Sequence, residues 1–355
     1  MKLNGADVLL PTTMVGSWPR PLWLRGAVLR ESVDDLDYVD MHVRTLYEDA
    51  VRLCIKDQEL AGLDIIADGN QYFQGETRYD KIQWLLVYLR MQGFRPYGPP
   101  GAMPGMEQYF RPIVHDKIRW VRPIFGPVLE AVKRSTDKPI KININSGPAL
   151  VATWCDDQYY GDPEALRNDV AEAFNQELRW LADQGAGIIQ LTEQGYLWSK
   201  GKQTWVVDVM NRVARGVNAH LVWHMCYGNA REFDCLYPEV NASYLEQLLS
   251  NEQVDWNEIH LETARPGMDE MKLLAKWAEQ ENKHLGIGVI EVMNSHVESA
   301  DEVAGRIRLA LDHVAAERLV ISTDCGLYQL AHDVAFRKLC ALVEGVRIAR
   351  AEVGS

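Results

Sequence analysis

His224 and Cys226 stand two apart at the end of the apolar run His220-Leu221-Val222-Trp223-His224-Met225-Cys226-Tyr227-Gly228. On an extended strand, side chains two apart point to the same face, so an imidazole and a thiol there can grip one ion together. Imidazole with thiolate favours zinc among the common ions. Taken alone, the pair reads equally well as a strand-end histidine beside a buried free thiol. Two further ligand-type residues occupy the same place in later runs: Glu262 ends Glu258-Ile259-His260-Leu261-Glu262, and Cys325 follows Leu319-Val320-Ile321-Ser322-Thr323-Asp324.

These runs belong to a regular alternation. Apolar, β-rich segments are expected at 8–16, 63–69, 139–145, 187–193, 220–228, 258–262, 284–292 and 318–326. Segments with helical spacing are expected at 35–61, 163–184, 200–216, 240–252, 268–280, 300–314 and 331–350. Such an alternation predicts an α/β fold, a single (β/α)8 TIM barrel spanning residues 1–355. An open doubly wound sheet is the rival, but it would carry a Gly-rich phosphate turn after its first strand, and Gly16-Ser17-Trp18-Pro19 is not one. The barrel also gathers the polar residues that end several strands onto one rim, where the active sites of such barrels lie. Residues 70–135, rich in aromatics, Gly and Pro, read as a long insertion after the second strand, of the kind that serves a site or an interface.

Composition narrows the partners. The chain has 355 residues, 47% of them hydrophobic, and a net charge of −13. So acidic a chain is ill suited to nucleic acid, which demands a basic surface. No long apolar segment and no leader-like start are visible, so neither a membrane span nor export is expected. The six cysteines lack a disulfide-type spacing, which fits a reducing cytoplasm. A homo-oligomer is compatible with all of this.

On a barrel, His224, Cys226, Glu262 and Cys325 converge on one rim and supply one nitrogen, two sulfurs and one oxygen. Singly, Glu262 reads as a carboxylate paired with Arg265, and Cys325 as a small residue before a turn. Together with Pro11-Thr12-Thr13-Met14-Val15-Gly16-Ser17-Trp18-Pro19, the runs His224-x-Cys226, Glu262-Thr263-Ala264-Arg265 and Asp324-Cys325-Gly326 resemble the first-strand and zinc-site motifs of the cobalamin-independent methionine synthase catalytic domain, in the same order. The resemblance covers essentially the whole chain and corresponds to the catalytic half alone. Short relatives of that kind include corrinoid-using methionine synthases and epoxyalkane:coenzyme M transferases. It implies a zinc-dependent S-alkyltransferase in which a small thiol, bound as a zinc thiolate, attacks a methyl or alkyl donor. A free thiol has a pKa of about 8.5, so little of it is thiolate at neutral pH without such help.

Three departures from that family touch substrates rather than the metal. Where its methionine synthases carry a Glu that holds the ammonium of homocysteine, Asn70 follows Asp68-Gly69. A second acid, in an Asp-Glu-Pro motif, is replaced by Thr192 of Thr192-Glu193-Gln194. A His that protonates the folate leaving group is replaced by Met293 of Glu291-Val292-Met293-Asn294. A buried ammonium without a carboxylate is costly, so these changes weigh against homocysteine and methyl-folate. They favour a methyl-corrinoid or a short epoxide as donor, while Glu76 or Glu193 remains available to replace the lost acids. Ser17, Arg20, Asn70, Thr192 and Arg265 are the candidate substrate contacts, with Glu193 and Tyr160 as candidate catalytic groups. Arg20, Arg78 and Arg265 would suit an anionic thiol. Trp18, Tyr72, Phe73, Trp154, Tyr159 and Tyr160 would suit a small apolar electrophile. His115 and His296 read as structural. A zinc hydrolase would want a metal-bound water and mostly His/Asp ligands, and a structural zinc would want tightly spaced Cys pairs. Neither suits this set.

Overall fold

The structure, a computed structural model, describes residues 1–24, 41–72, 85–95, 100–103, 106–228 and 240–354. Its frame is a curled, TIM-like parallel sheet of seven strands: β1 (Ile66–Ala67), β2 (Ile140–Ile144), β3 (Ile188–Thr192), β4 (His220–Met225), β5 (Glu258–Leu261), β6 (His284–Ile290) and β7 (Leu319–Thr323). Each strand pairs with its neighbours in chain order. The longer helices are α1 (Met41–Ala61), α2 (Gly126–Lys133), α3 (Pro163–Asp183), α4 (Trp205–Ala214), α5 (Met271–Ala278), α6 (Ala300–Leu311) and α7 (His332–Val353).

Strand and helix starts follow local chemistry. Asp162 accepts the Glu164 N–H and Pro163 opens α3, a pre-set φ at a position that needs no donor. Ser299 and Glu302 cap α6 reciprocally, the arrangement that satisfies two otherwise orphan amides. Along the strands, alternation divides the two faces. Ile189, Leu191, Leu221, Trp223, Ile259, Leu261, Leu285, Ile287, Leu319 and Ile321 join one contiguous apolar cluster with the helices. The alternate positions are largely polar yet buried: Lys141, Asn143, Gln190, Thr192, His224, Glu258, His260, Ser322 and Asp324. A separate small cluster of Leu3, Ile65, Ile188 and Val222 lies against Met1 and Val8 at the N-terminal ends of the strands.

The first expected strand is much reduced. Within 8–16, only Thr12 forms a parallel bridge, to Ile321 of β7. Its carbonyl accepts the Ile65 N–H beside β1, and the Ile321 N–H donates to Pro11 O, so this segment is bonded at both edges of the sheet. A regular strand fails because Leu10 sits at a positive φ of 48°. In addition, the Thr12 N–H and hydroxyl both donate to Asp64 Oδ2, each at 2.8 Å. The helix expected at 240–252 is two short turns, Ala242–Leu245 and Glu246–Leu249, and Asn251 closes the second by accepting the Gln253 N–H. The 70–135 stretch is not one loop. Its described part holds a helix (Leu85–Arg90), an antiparallel pair (Met91–Arg95 with Ile113–Trp120), a hairpin (Pro100–Met103 with Met106–Phe110) and α2, which leads into β2.

The segment after β6, residues 291–298, is pinned from below. The fully buried Lys338 of α7 donates to Glu298 Oε2 at 2.9 Å and to Glu291 O at 2.8 Å, and Glu298 Oε1 accepts from the Glu291 N–H and from Arg306. Removing one partner of a buried pair costs up to roughly 3 kcal/mol, and Arg306, which still faces Glu298 after Lys338 is gone, limits the loss to about 2 kcal/mol. Lys338→Met should therefore lower unfolding free energy in urea by about that much, and Lys338→Met with Glu298→Gln should regain part of it. Equal stability of Lys338→Met and wild type would show that the buried pair contributes nothing.

Candidate metal centre

His224 lies on β4, Cys226 just past its end, and Cys325 just past the end of β7. His224 is buried and the two cysteines are half-buried. The His224 Nε2 atom is 3.9 Å from Cys325 Sγ, and the two sulfurs are 3.7 Å apart. One ligand atom from each residue lies within 4.8 Å of the others, and this is the group of three that could hold a metal ion among the described residues. One imidazole nitrogen and two sulfurs form a soft donor set that suits zinc and leaves a fourth tetrahedral position. The sulfurs act on one another: the hydrogen bond from Cys325 pushes the Cys226 thiol well below its ordinary range and holds Cys325 well above. Neighbouring groups fix Cys226. Its sulfur accepts the Gly228 N–H at 3.3 Å, and its carbonyl accepts the Trp198 indole N–H at 2.9 Å.

Glu262 follows β5 and is fully buried. In this arrangement Oε1 accepts the Tyr227 N–H at 2.8 Å and Oε2 faces Arg265 Nε at 3.3 Å. Burial, then the charges of Cys226 and Asp324, pushes its carboxyl well up. Asp324 is an organiser that the sequence motif contained without revealing its task. Its two oxygens accept the N–H groups of Thr263, Ala264 and Arg265 at 2.8–3.0 Å, tying the turn after Glu262 to the strand that carries Cys325. Burial raises its carboxyl to about 7.

Two of the candidate substrate contacts, Ser17 and Asn70, belong to a buried polar chain. The Asn70 amide donates to Ser17 Oγ at 3.2 Å, and its carbonyl accepts from Asn143 at 3.2 Å. Gln190 donates to Asn143 and to Val15 O, each at 2.9 Å, and accepts from Lys141 at 3.0 Å. Asn70 itself adopts φ 51°, a left-handed conformation that Asn tolerates. Thr192 is the register neighbour of His224, and its hydroxyl has no partner among the described residues. Arg20 is buried and donates to Gln71 O. Arg265 sits beside Glu262 with its guanidinium 5.6 Å from the Tyr227 ring centroid. Arg78, Glu76 and Phe73 lie outside the described residues.

The two candidate catalytic groups are engaged elsewhere in this arrangement. Glu193 is fully buried; Oε2 accepts the Ala149 and Leu150 N–H groups and Oε1 that of Gly195, all at 2.8–3.1 Å. Gly147 gives it room, since a Cβ there would collide with the carboxylate. Burial lifts the Glu193 carboxyl to about 7 against those three donors. The Tyr160 hydroxyl donates to Asp169 Oδ2 at 2.6 Å and accepts the Ile118 N–H at 2.8 Å.

Sequence reading missed His260. Its Nδ1 is 2.8 Å from His224 Nδ1, and its Nε2 has no partner among the described residues. Burial pushes its pKa well below the ordinary imidazole value. The available signal was position: His260 precedes Glu262 by two and therefore shares its face.

Residues 10–347 match the family model described as the cobalamin-independent synthase catalytic domain. The methionine synthase of Sulfurisphaera tokodaii is 33% identical over 346 residues, covering 97% of this chain and 94% of that protein. That of Saccharolobus solfataricus is also 33% identical over 346 residues, covering 97% and 96%. The solved structure of a B12-independent methionine synthase from a Shewanella species, in complex with selenomethionine, superposes with a TM-score of 0.80 at 26% identity over 98% of this chain and 99% of that one.

Proposed function

This chain belongs to the cobalamin-independent methionine synthase catalytic-domain family, and from that premise we propose that it is a zinc-dependent S-alkyltransferase acting on a small thiol. The convergence of His224 Nε2 with the Cys226 and Cys325 sulfurs carries this reading. Zinc held there would supply deprotonation of the thiol at neutral pH while leaving its sulfur nucleophilic. We assign Glu262 as the fourth ligand and the one that yields to the thiol, because carboxylate oxygen is the poorest match for soft neighbours. The Tyr227 N–H and Arg265 are already placed to receive it. The finer fold reading is a single catalytic (β/α)8 barrel over residues 1–355, with 8–16 contributing its first strand and 70–135 a long insertion after the second.

Asn70 and Thr192 support a thiol without an ammonium group. Both are buried, neither carries charge, and the Asn70 carbonyl already accepts from Asn143. Homocysteine should therefore bind no better than a thiol of similar size that lacks the amine. Asn70→Glu with Thr192→Asp should improve homocysteine binding about 10-fold or more, the scale of a charged hydrogen bond, and leave the other thiol unimproved. Titration of a thiol panel into zinc-loaded protein, read by proton release, tests both statements. Tight binding of homocysteine by the wild type, with sulfonate and carboxylate thiols ignored, would refute this acceptor assignment. The relatives' name, methionine synthase, favours homocysteine as the second reading. A hydrolase is disfavoured because it would want a metal-bound water and mostly His/Asp ligands, whereas two of these three donors are sulfurs.

A further inference from the structure

His224 has two ring nitrogens with different tasks. Nε2 faces Cys325 Sγ at 3.9 Å, while Nδ1 lies 2.8 Å from Nδ1 of His260. A histidine that ligates through Nε2 must carry its proton on Nδ1, so it needs an acceptor there to fix tautomer and ring plane. That acceptor is commonly a carboxylate, a carbonyl or water. Here another imidazole occupies the place.

We infer that His260 is the positioning residue of the metal centre, holding His224 in the Nδ1–H tautomer through an imidazole–imidazole hydrogen bond. The bond fixes the second ring as well: His260 accepts at Nδ1 and carries its own proton on Nε2. Three parallel strands make the arrangement possible. His224, His260 and Gly286 are register neighbours on β4, β5 and β6. The third position favours glycine, since a Cβ at 286 would stand 2.5 Å from Glu258 Oε1, 2.7 Å from His260 Cδ2 and 3.0 Å from His260 Cβ. The first strand thus supplies the ligand, the second its orienter, and the third the space for the orienter's ring. The inference rests on the metal reading of His224, Cys226 and Cys325.

Three proteins test it by zinc competition against a chromophoric chelator and by the visible spectrum after cobalt substitution. His260→Phe keeps a ring but removes the acceptor; it should bind zinc about 10- to 100-fold more weakly, the usual cost of losing such a partner, with altered cobalt bands. His260→Asn, whose carbonyl can accept, should recover much of the affinity and the wild-type bands. Zinc affinity and cobalt bands unchanged in His260→Phe would overturn the inference while leaving the metal site intact. A wild-type protein that binds no zinc would overturn the metal reading and the inference with it. Ring-15N histidine in the zinc-loaded wild type answers even if neither variant folds. One N–H···N coupling between two imidazoles is expected, and a His260 ring protonated at Nδ1 would refute the assignment.

Discussion

Cys325→Ser should leave a folded protein that has lost its zinc. Cys325 is half-buried and follows the end of β7, and serine replaces its sulfur with little change of volume, so circular dichroism should match wild type and the urea midpoint should match that of the zinc-stripped wild type. Its sulfur, however, is one of only three nitrogen and sulfur donors in the group, 3.7 Å from one and 3.9 Å from the other. Zinc binding depends on deprotonated soft donors. Losing one should therefore exceed the roughly 100-fold upper cost of losing an outer hydrogen-bond partner, and the purified variant should carry far less than one zinc per chain. Cys226→Ser should behave alike. Glu262→Gln should lose less, because the yielding ligand contributes least. Metal analysis with chelator competition decides the matter. Full occupancy and unchanged affinity in Cys325→Ser would remove that residue from the ligand set.

The grouping of His224, Cys226 and Cys325, which could hold a metal ion, was legible because strand geometry writes it into the sequence. His-x-Cys places two donors on one face, and a regular strand–helix alternation brings later strand ends to the same rim. What stayed hidden was fixed by contacts between strands rather than along them. His260 reads as one more strand residue until the register sets it between His224 and Gly286. Asp324 reads as part of a motif until its oxygens are found on three amides of another strand's turn. The hydrogen bonds of Glu193 to the Ala149 and Leu150 amides and of Tyr160 to Asp169 are likewise unreadable from the residue types that invite a catalytic reading. The weak first strand has a similar cause: Asp64 takes the Thr12 N–H and hydroxyl, a choice invisible in the apolar run itself.

Methyl-folate should give no turnover with this protein, whereas a methyl-corrinoid or a short epoxide should alkylate a thiol. A folate nitrogen leaves only when protonated, so a folate enzyme needs an acid within hydrogen-bond reach of it. At and beside position 293 the chain supplies no such donor. Met293 is half-buried against the apolar core and cannot donate a proton. Asn294 uses its carbonyl to accept the His296 N–H at 3.0 Å. His296 turns outward, 60% exposed, and its ring meets Glu302 at the start of α6. The Lys338–Glu298 pair holds this segment in place, which works against swinging His296 inward. A corrinoid avoids the requirement: the thiol sulfur bonds to the methyl carbon, the carbon–cobalt bond breaks with its electron pair left on cobalt, and the reduced corrinoid departs intact without a proton. An epoxide avoids it in part: the thiol sulfur bonds to a ring carbon, the C–O bond breaks with release of strain, and the oxygen takes a proton from a phenol or water. Tyr160 is poorly placed for that last step, with its hydroxyl bonded to Asp169. Incubating zinc-loaded protein with each donor and a thiol panel, and measuring thioether by mass spectrometry, separates the cases. Robust methionine formation from methyl-folate and homocysteine by this chain alone would refute the donor assignment. It would also require a proton source other than Met293, Asn294 or the outward-facing His296.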